Sequence, residues 1–224
     1  MLVAIVVLAL APSILVMWWA YRRESGKPES VRLLAVAFLL GLLTVIPALA
    51  AGMLASLAHR ALTGWLRLLY QAFVTAATVE EGAKFVLIWA LVHRHPGVTE
   101  TADGIVYGMA ASLGFAFLET SLYVGESAFV LLLRGVTAVP LHVGCGALMG
   151  YFVSQSRFHA NGGAWIGLIV AIAVHGVYDS LVFVGGPVAF LSLVVVAGLI
   201  VSVPMLLSRA RRAGLGPAGS ASGP

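Results

Sequence analysis

Long apolar runs separated by short polar stretches dominate this chain. Seven of the runs are long enough to cross a hydrocarbon layer at about 1.5 Å rise per residue. They predict helices over about 2–20, 31–53, 68–92, 104–124, 128–153, 163–184 and 187–207. The expected fold class is all-α, a polytopic membrane bundle of about seven transmembrane helices. Between the second and third runs, SLAHRALTGWLRL is mildly amphipathic and carries Trp65 and Tyr70, so it is expected to lie along the membrane interface. Pro47, Pro140 and Pro204 fall inside predicted spans and are expected to kink them. Gly104 with Gly108, Gly146 with Gly150, and Gly163 with Gly167 have the small-xxx-small spacing that lets helix backbones approach closely in lipid.

Composition fits this pattern. The chain is 61% hydrophobic and 10% charged, against about 25% charged residues in an ordinary soluble domain. Its 224 residues are consumed by seven spans and short loops. Residues 1–208 are therefore expected to form one transmembrane domain, and 209–224, basic and then rich in Gly, Ala, Ser and Pro, a disordered cytoplasmic tail. No internal repeat is visible. The N-terminal run has no basic residues before it, while Arg22 and Arg23 follow it, so it reads as an uncleaved first span. The single cysteine, Cys145, excludes an intrachain disulfide and reads as a small buried apolar residue.

The net charge of +4 comes mainly from loop and tail arginines. It reports topology, and nucleic acid is not an expected partner; the lipid bilayer is. Arg22, Arg23, Lys27, Arg32, Arg94, Arg157, Arg209, Arg211 and Arg212 fall on one side, Arg60 and Arg67 on the other. This imbalance predicts the N-terminus outside and the C-terminus in the cytoplasm. The arginine- and alanine-rich usage points to a bacterial plasma membrane.

Against this background the polar residues at membrane depth stand out: Glu80, Glu81, Lys84, Glu119, Arg134, His142, His175 and Asp179. A charge at the bilayer centre costs about 2.5–3.5 kcal/mol on insertion scales and is read as functional by default. Lys84 follows Glu80 by four residues and Glu81 by three, which puts it on their helix face. It compensates one carboxylate and leaves the other. The chain has only two lysines beside eleven arginines, so a compact ammonium is wanted at this position. His175 and Asp179 are one turn apart, a spacing that can fix an imidazole tautomer or present two ligands to one ion. Arg134 either snorkels outward or pairs with a buried carboxylate. Phe115 lies one turn before Glu119 and packs and positions that helix. Counted from the predicted span ends, these groups fall between the midplane and the outer half. Several helices bringing carboxylates and imidazoles to one depth imply a water-accessible polar chamber.

EEGAK (Glu80 to Lys84), DGIVYG (Asp103 to Gly108), GFAFLE (Gly114 to Glu119) with Tyr123, then His142, and HGVYD (His175 to Asp179) together resemble the PrsW family of intramembrane proteases. That family is similar to the wider group of CAAX prenyl endopeptidases and bacterial Abi proteins. The resemblance covers about 70–185, and departs from the family where Thr120 stands in place of an expected Asn. It implies a multi-helix protease that cuts single-span membrane proteins, anti-sigma-factor-like regulators among them. In the glutamate-based mechanism this suggests, Glu80 or Glu81 activates a water, and the other glutamate, tuned by Lys84, holds the water or protonates the leaving amine. His175, oriented by Asp179, and His142 donate to the oxyanion, and Glu119 positions the water. No cofactor is favoured. The metal-dependent alternative places zinc on Glu80, Glu119, His142 and His175. Two readings from other classes are a proton- or ion-coupled transporter and a non-catalytic assembly protein in which the cluster specifies helix pairing.

Overall fold

The computed structural model describes residues 11, 14–19, 21–22, 28–123, 125–159 and 163–214. Among these there are helices and turns and no strand, the form in which each apolar segment satisfies its own backbone in lipid. The main elements are α1 (Pro28–His59), α2 (Gly64–Tyr70), a π-helical segment (Gln71–Thr78), α3 (Val79–Arg94), α4 (Thr101–Leu122), α5 (Ala128–Val136), α6 (Ala138–Phe158), α7 (Ala164–Val184), a 3₁₀ turn (Gly186–Leu191) and α8 (Ser192–Gly214). Among the described residues, five stretches are long and apolar enough to cross a membrane: Val31–His59, Thr101–Leu122, Ala128–Phe158, Ala164–Val184 and Gly186–Arg212. The first predicted span lies largely outside the described residues, although 14–19 are helical and Val16, Met17 and Trp19 pack on the core.

α4 and α6 form the centre. Every residue of 101–116 and of 137–150 is buried. α1, α7 and α8 surround them and turn outward an apolar face that includes Leu43, Ile46, Met53, Ile169 and Val194, the surface a bilayer would cover. The central contact is built on glycine. A Cβ at Gly108 would overlap the Gly146 carbonyl oxygen, one at Gly146 would overlap that of Gly108, and one at Gly150 would overlap that of Gly104. α1 crosses α4 just as closely, with Gly41 against the Ala111 carbonyl and Gly114 against that of Phe38. Of the third predicted pair, Gly167 packs on the Met149 backbone of α6, while Gly163 faces only Ile166 of its own segment.

The stretch expected along the interface is the end of α1, a turn and the start of α2, with Gly64 supplying the positive φ of 56° that the turn needs. From there the chain stays helical from Gly64 to Arg94. The predicted fifth span is two helices. Its break at Thr137 (φ −123°, ψ −69°) has a cause in Pro140, whose ring would clash with the carbonyl of Val136 four residues earlier. Pro140 thus sits in the first turn of α6, where its missing N–H costs nothing. Pro47 and Pro204 do lie inside α1 and α8. The basic stretch from Arg209, expected to begin a disordered tail, continues α8 to Gly214, because arginine and alanine are strong helix formers; residues 215–224 lie outside the described residues.

Ends are closed by side chains. Asp103 Oδ2 accepts from the backbone N–H groups of Thr99 (2.8 Å) and Glu100 (3.2 Å), completing a capping box at α4. The Arg157 guanidinium donates to the Val92 carbonyl at the end of α3.

Gly108→Val should lower stability by about 1–3 kcal/mol through overpacking against α6. At Gly82 a Cβ meets nothing within 4 Å, so Gly82→Ala should hold or raise the melting temperature, gaining about 0.5–1 kcal/mol of helix propensity. Thermal unfolding of the two variants in detergent checks both.

Candidate active site

The break at Thr137 and the close α4–α6 contact bring residues from five helices to one place. Lys84 on α3 is the hub. Its ammonium is 0% exposed and donates to Glu81 Oε1 at 2.6 Å and to His142 Nδ1 at 3.0 Å. It also lies 4.6 Å from the centre of the Phe115 ring, a cation–π contact. An ammonium only donates, so His142 Nδ1 is the acceptor and the ring proton is on Nε2. That nitrogen donates to Glu119 Oε2 at 2.9 Å. The other oxygen of Glu119 pairs with Arg134 at 2.7 Å. Arg134 therefore pairs with a buried carboxylate, and its guanidinium stacks 3.9 Å from the Tyr123 ring centre.

On the other side of Lys84, Glu81 Oε1 also accepts from His175 Nδ1 at 2.7 Å. His175 Nε2 faces Asp179 Oδ2 at 3.4 Å, longer than a normal N–H···O bond. The two imidazoles meet edge to face, 5.1 Å between centres. Asp179, His175, Glu81, Lys84, His142, Glu119 and Arg134 thus form one continuous polar chain across α7, α3, α6, α4 and α5. Thr120, which stands where the family pattern has Asn, is buried, and its hydroxyl has no hydrogen-bond partner among the described residues. Glu119 is held by Arg134 and His142 instead.

Glu80 stands outside the chain. Its Oε2 is buried and has no hydrogen-bond partner among the described residues. It lines a cleft of about 560 Å³, together with Glu119, Arg134, His142, His175 and Asp179. The remaining walls are mostly apolar: Phe129 and Leu133 from α5, Val182 and Phe183 from α7, and Phe190 of the 3₁₀ turn. Gly185 and Gly186, with φ of 73° and 57°, turn the chain into that last wall. Such a volume holds a few residues of extended peptide. Glu81 lines no part of the cleft and is 0% exposed. The five residues expected to do chemistry are thus together, with the two neighbouring glutamates facing different surroundings. Tyr178, which donates to Thr137 Oγ1 at 2.9 Å and also lines the cleft, carries no signal in the sequence beyond its place in HGVYD.

Glu80, His142 and His175 offer ligand atoms within 4.8 Å of one another. Two imidazoles and a carboxylate are a donor set that zinc accepts, so the residues fit a metal in type and spacing. Glu119, the fourth ligand expected, is outside this group. Each histidine has both nitrogens facing partners, and each would exchange one of them to bind an ion.

A family model described as PrsW family intramembrane metalloprotease matches residues 29–207. The chain is 30% identical over 188 residues to Protease PrsW of Clostridioides difficile (strain 630), covering 79% of this chain and 78% of the relative. It is 29% identical over 181 residues to Protease PrsW of Bacillus subtilis (strain 168), covering 79% and 81%. Protease PrsW of Shouchella clausii (strain KSM-K16) is 28% identical over 182 residues, covering 80% and 83%. No solved structure matches.

Breaking the buried pair by Lys84→Met should cost about 3–5 kcal/mol, because Glu81 is left charged and buried. The double variant Lys84→Met/Glu81→Leu should recover much of that stability. A thermal-unfolding double-mutant cycle measures the coupling.

Proposed function

The chain belongs to the PrsW family of intramembrane proteases, and we propose that this member cuts single-span membrane proteins with a water activated by Glu80. As a family member it is a multi-pass protein of a bacterial membrane and a protease acting on membrane proteins. The transporter and assembly readings give way to this. The observation that carries the proposal is half-buried Glu80, whose Oε2 has no partner among the described residues, in a cleft shared with both histidines.

Glu80 takes a proton from the water, whose oxygen attacks the scissile carbonyl; the same carboxyl then passes the proton to the leaving amine. His175 is the first oxyanion donor. As an imidazolium between Glu81 and Asp179 it has its Nδ1–H committed to Glu81 and its Nε2–H held only loosely by Asp179, so Nε2–H can turn to the developing charge at little cost. His142 becomes the second donor when its Nε2–H turns from Glu119 to the oxyanion, and Glu119, still fixed by Arg134, positions the water. Glu81 serves as the anchor of Lys84 and His175. We favour this metal-free chemistry because a metal would need the His142 lone pair, and Lys84 already donates to it. Zinc on Glu80, His142 and His175 is the second reading, favoured by their 4.8 Å grouping, and would supply a Lewis acid for the carbonyl and the water.

The proposed topology has seven spans, including 2–20 and the helix of 64–94, with the N-terminus outside. The site then lies in the outer half of the membrane. Anti-sigma-factor-like regulators fit as substrates because they present a single span to such a cleft.

New peptide termini among host membrane proteins, compared between wild type and Glu80→Gln at equal expression, test the reading. Termini specific to wild type are expected, near the outer face, with Glu80→Gln slower by at least about 10²-fold yet folded. Equal cutting by the variant would overturn the role of Glu80, and cuts at the cytoplasmic face would overturn the topology. Activity should survive a chelator; loss restored by added zinc would establish the metal reading.

A further inference from the structure

A second cavity, of about 310 Å³, meets the catalytic carboxylates from another direction. α1 contributes Val45, Ala48, Leu49, Gly52, Met53 and Ser56 to it, and the π-helical segment contributes Thr75. It shares only Glu80 and Glu119 with the peptide cleft. The π-helical segment divides the two: Thr75 lines this cavity, and its neighbour Ala76 lines the cleft. That segment is locally supported by the Thr78 hydroxyl, which donates to the Phe73 carbonyl five residues back at 2.6 Å. π-Helical turns are uncommon and gather at functional sites.

Two residues on this wall, Glu80 and Thr75, each carry a buried polar atom with no protein partner among the described residues, Oε2 and Oγ1. Leaving such groups unsatisfied is costly, about 1–3 kcal/mol each and more for a charge. The cavity is large enough for several waters at about 30 Å³ each. Each cut consumes one water, and a peptide seated between the apolar walls of the cleft would exclude water from that side.

We propose that the second cavity is the water store of the enzyme, and that it passes the hydrolytic water to Glu80 with Thr75 as a positioning residue. This rests on the reading of Glu80 as the base. Thr75 donates its hydroxyl proton to a water whose own proton points to Glu80. Supply and peptide binding are thereby separated, and the wall of Glu80 and Glu119 is where they meet. The rival occupant is a lipid acyl chain, which the apolar residues of α1 would also accept.

Hydration is tested in membrane vesicles with single cysteines Thr75→Cys and Ser56→Cys in a Cys145→Ala background that retains activity. Leu43→Cys, on the outward face of α1, is the lipid-facing control. A charged methanethiosulfonate reagent needs a wet thiolate, so both chamber positions should label at least about 10-fold faster than Leu43→Cys. Labelling no faster than the control means an acyl chain fills the space and overturns the proposal. Positioning is tested on a reporter peptide built from the mapped cut site. Thr75→Val should lower kcat about 10-fold, the loss of one hydrogen bond of about 1.4 kcal/mol, with KM and melting temperature unchanged, and Thr75→Ser should restore it. Wild-type kcat in Thr75→Val overturns its role. Cutting retained in Glu80→Gln removes the base and with it the delivery step, whereas the labelling rates alone decide whether the chamber is wet.

Discussion

The site depends on one buried ammonium. Lys84 has no exposure, and the effective penalty for taking an ion out of water is several kcal/mol. It persists because each side of it is occupied: a carboxylate at 2.6 Å, an imidazole nitrogen at 3.0 Å and the face of Phe115. These partners come from α3 itself, from α6 and from α4, so compensating the charge ties three helices together. A guanidinium, planar and with five donors, would not fit one carboxylate oxygen, one lone pair and one ring. The same contacts set the histidines. Lys84 dictates the tautomer of His142, and Glu81, pinned by Lys84, holds His175.

Such a hub requires helices that approach closely. Gly104, Gly108, Gly146 and Gly150 let α4 and α6 meet backbone to backbone, which leaves Glu119 and His142 within 2.9 Å. Larger residues would separate the axes and lengthen every bond that crosses between them. Pro140 adds the second condition. By ending α5 at Val136 it frees the chain to change direction at Thr137, so Arg134 and His142, eight residues apart, both reach the carboxylate of Glu119. An unbroken helix of that length would carry them about 12 Å apart along its axis.

Much of this was legible beforehand. Apolar run length exposed the spans, because lipid thickness is a fixed requirement, and the cost of charge in lipid singled out the site residues. The glycine pairs on α4 and α6 were legible for the same reason, since small residues at that spacing have few other uses. The rest depended on tertiary geometry. Pro140 marks a disruption, but only the structure distinguishes a kink from a helix start. The two fates left open for Arg134 were decided by where Glu119 sits. Thr75 carried no signal because an isolated threonine in an apolar helix ordinarily bonds its own backbone, and nothing in a sequence announces a π-helical segment.

Glu80 and Glu81 show how far adjacency can separate two identical side chains. Successive residues on a helix point about 100° apart. On α3 that rotation sends Glu81 inward to Lys84 and His175, and leaves Glu80 on the wall between two cavities. A carboxylate saturated by an ammonium and an imidazole is a poor proton acceptor, and one with no partner is a poor anchor. On the proposed mechanism neither residue could do both jobs, so a helix that must hold its own lysine and still present a base needs two acids. Placing them next to each other keeps both within reach of the same histidine at the smallest cost in buried charge. The doubled glutamate of the proposed mechanism is then a consequence of geometry: one acid stabilises the hub, and its neighbour is left without a partner on the cleft wall.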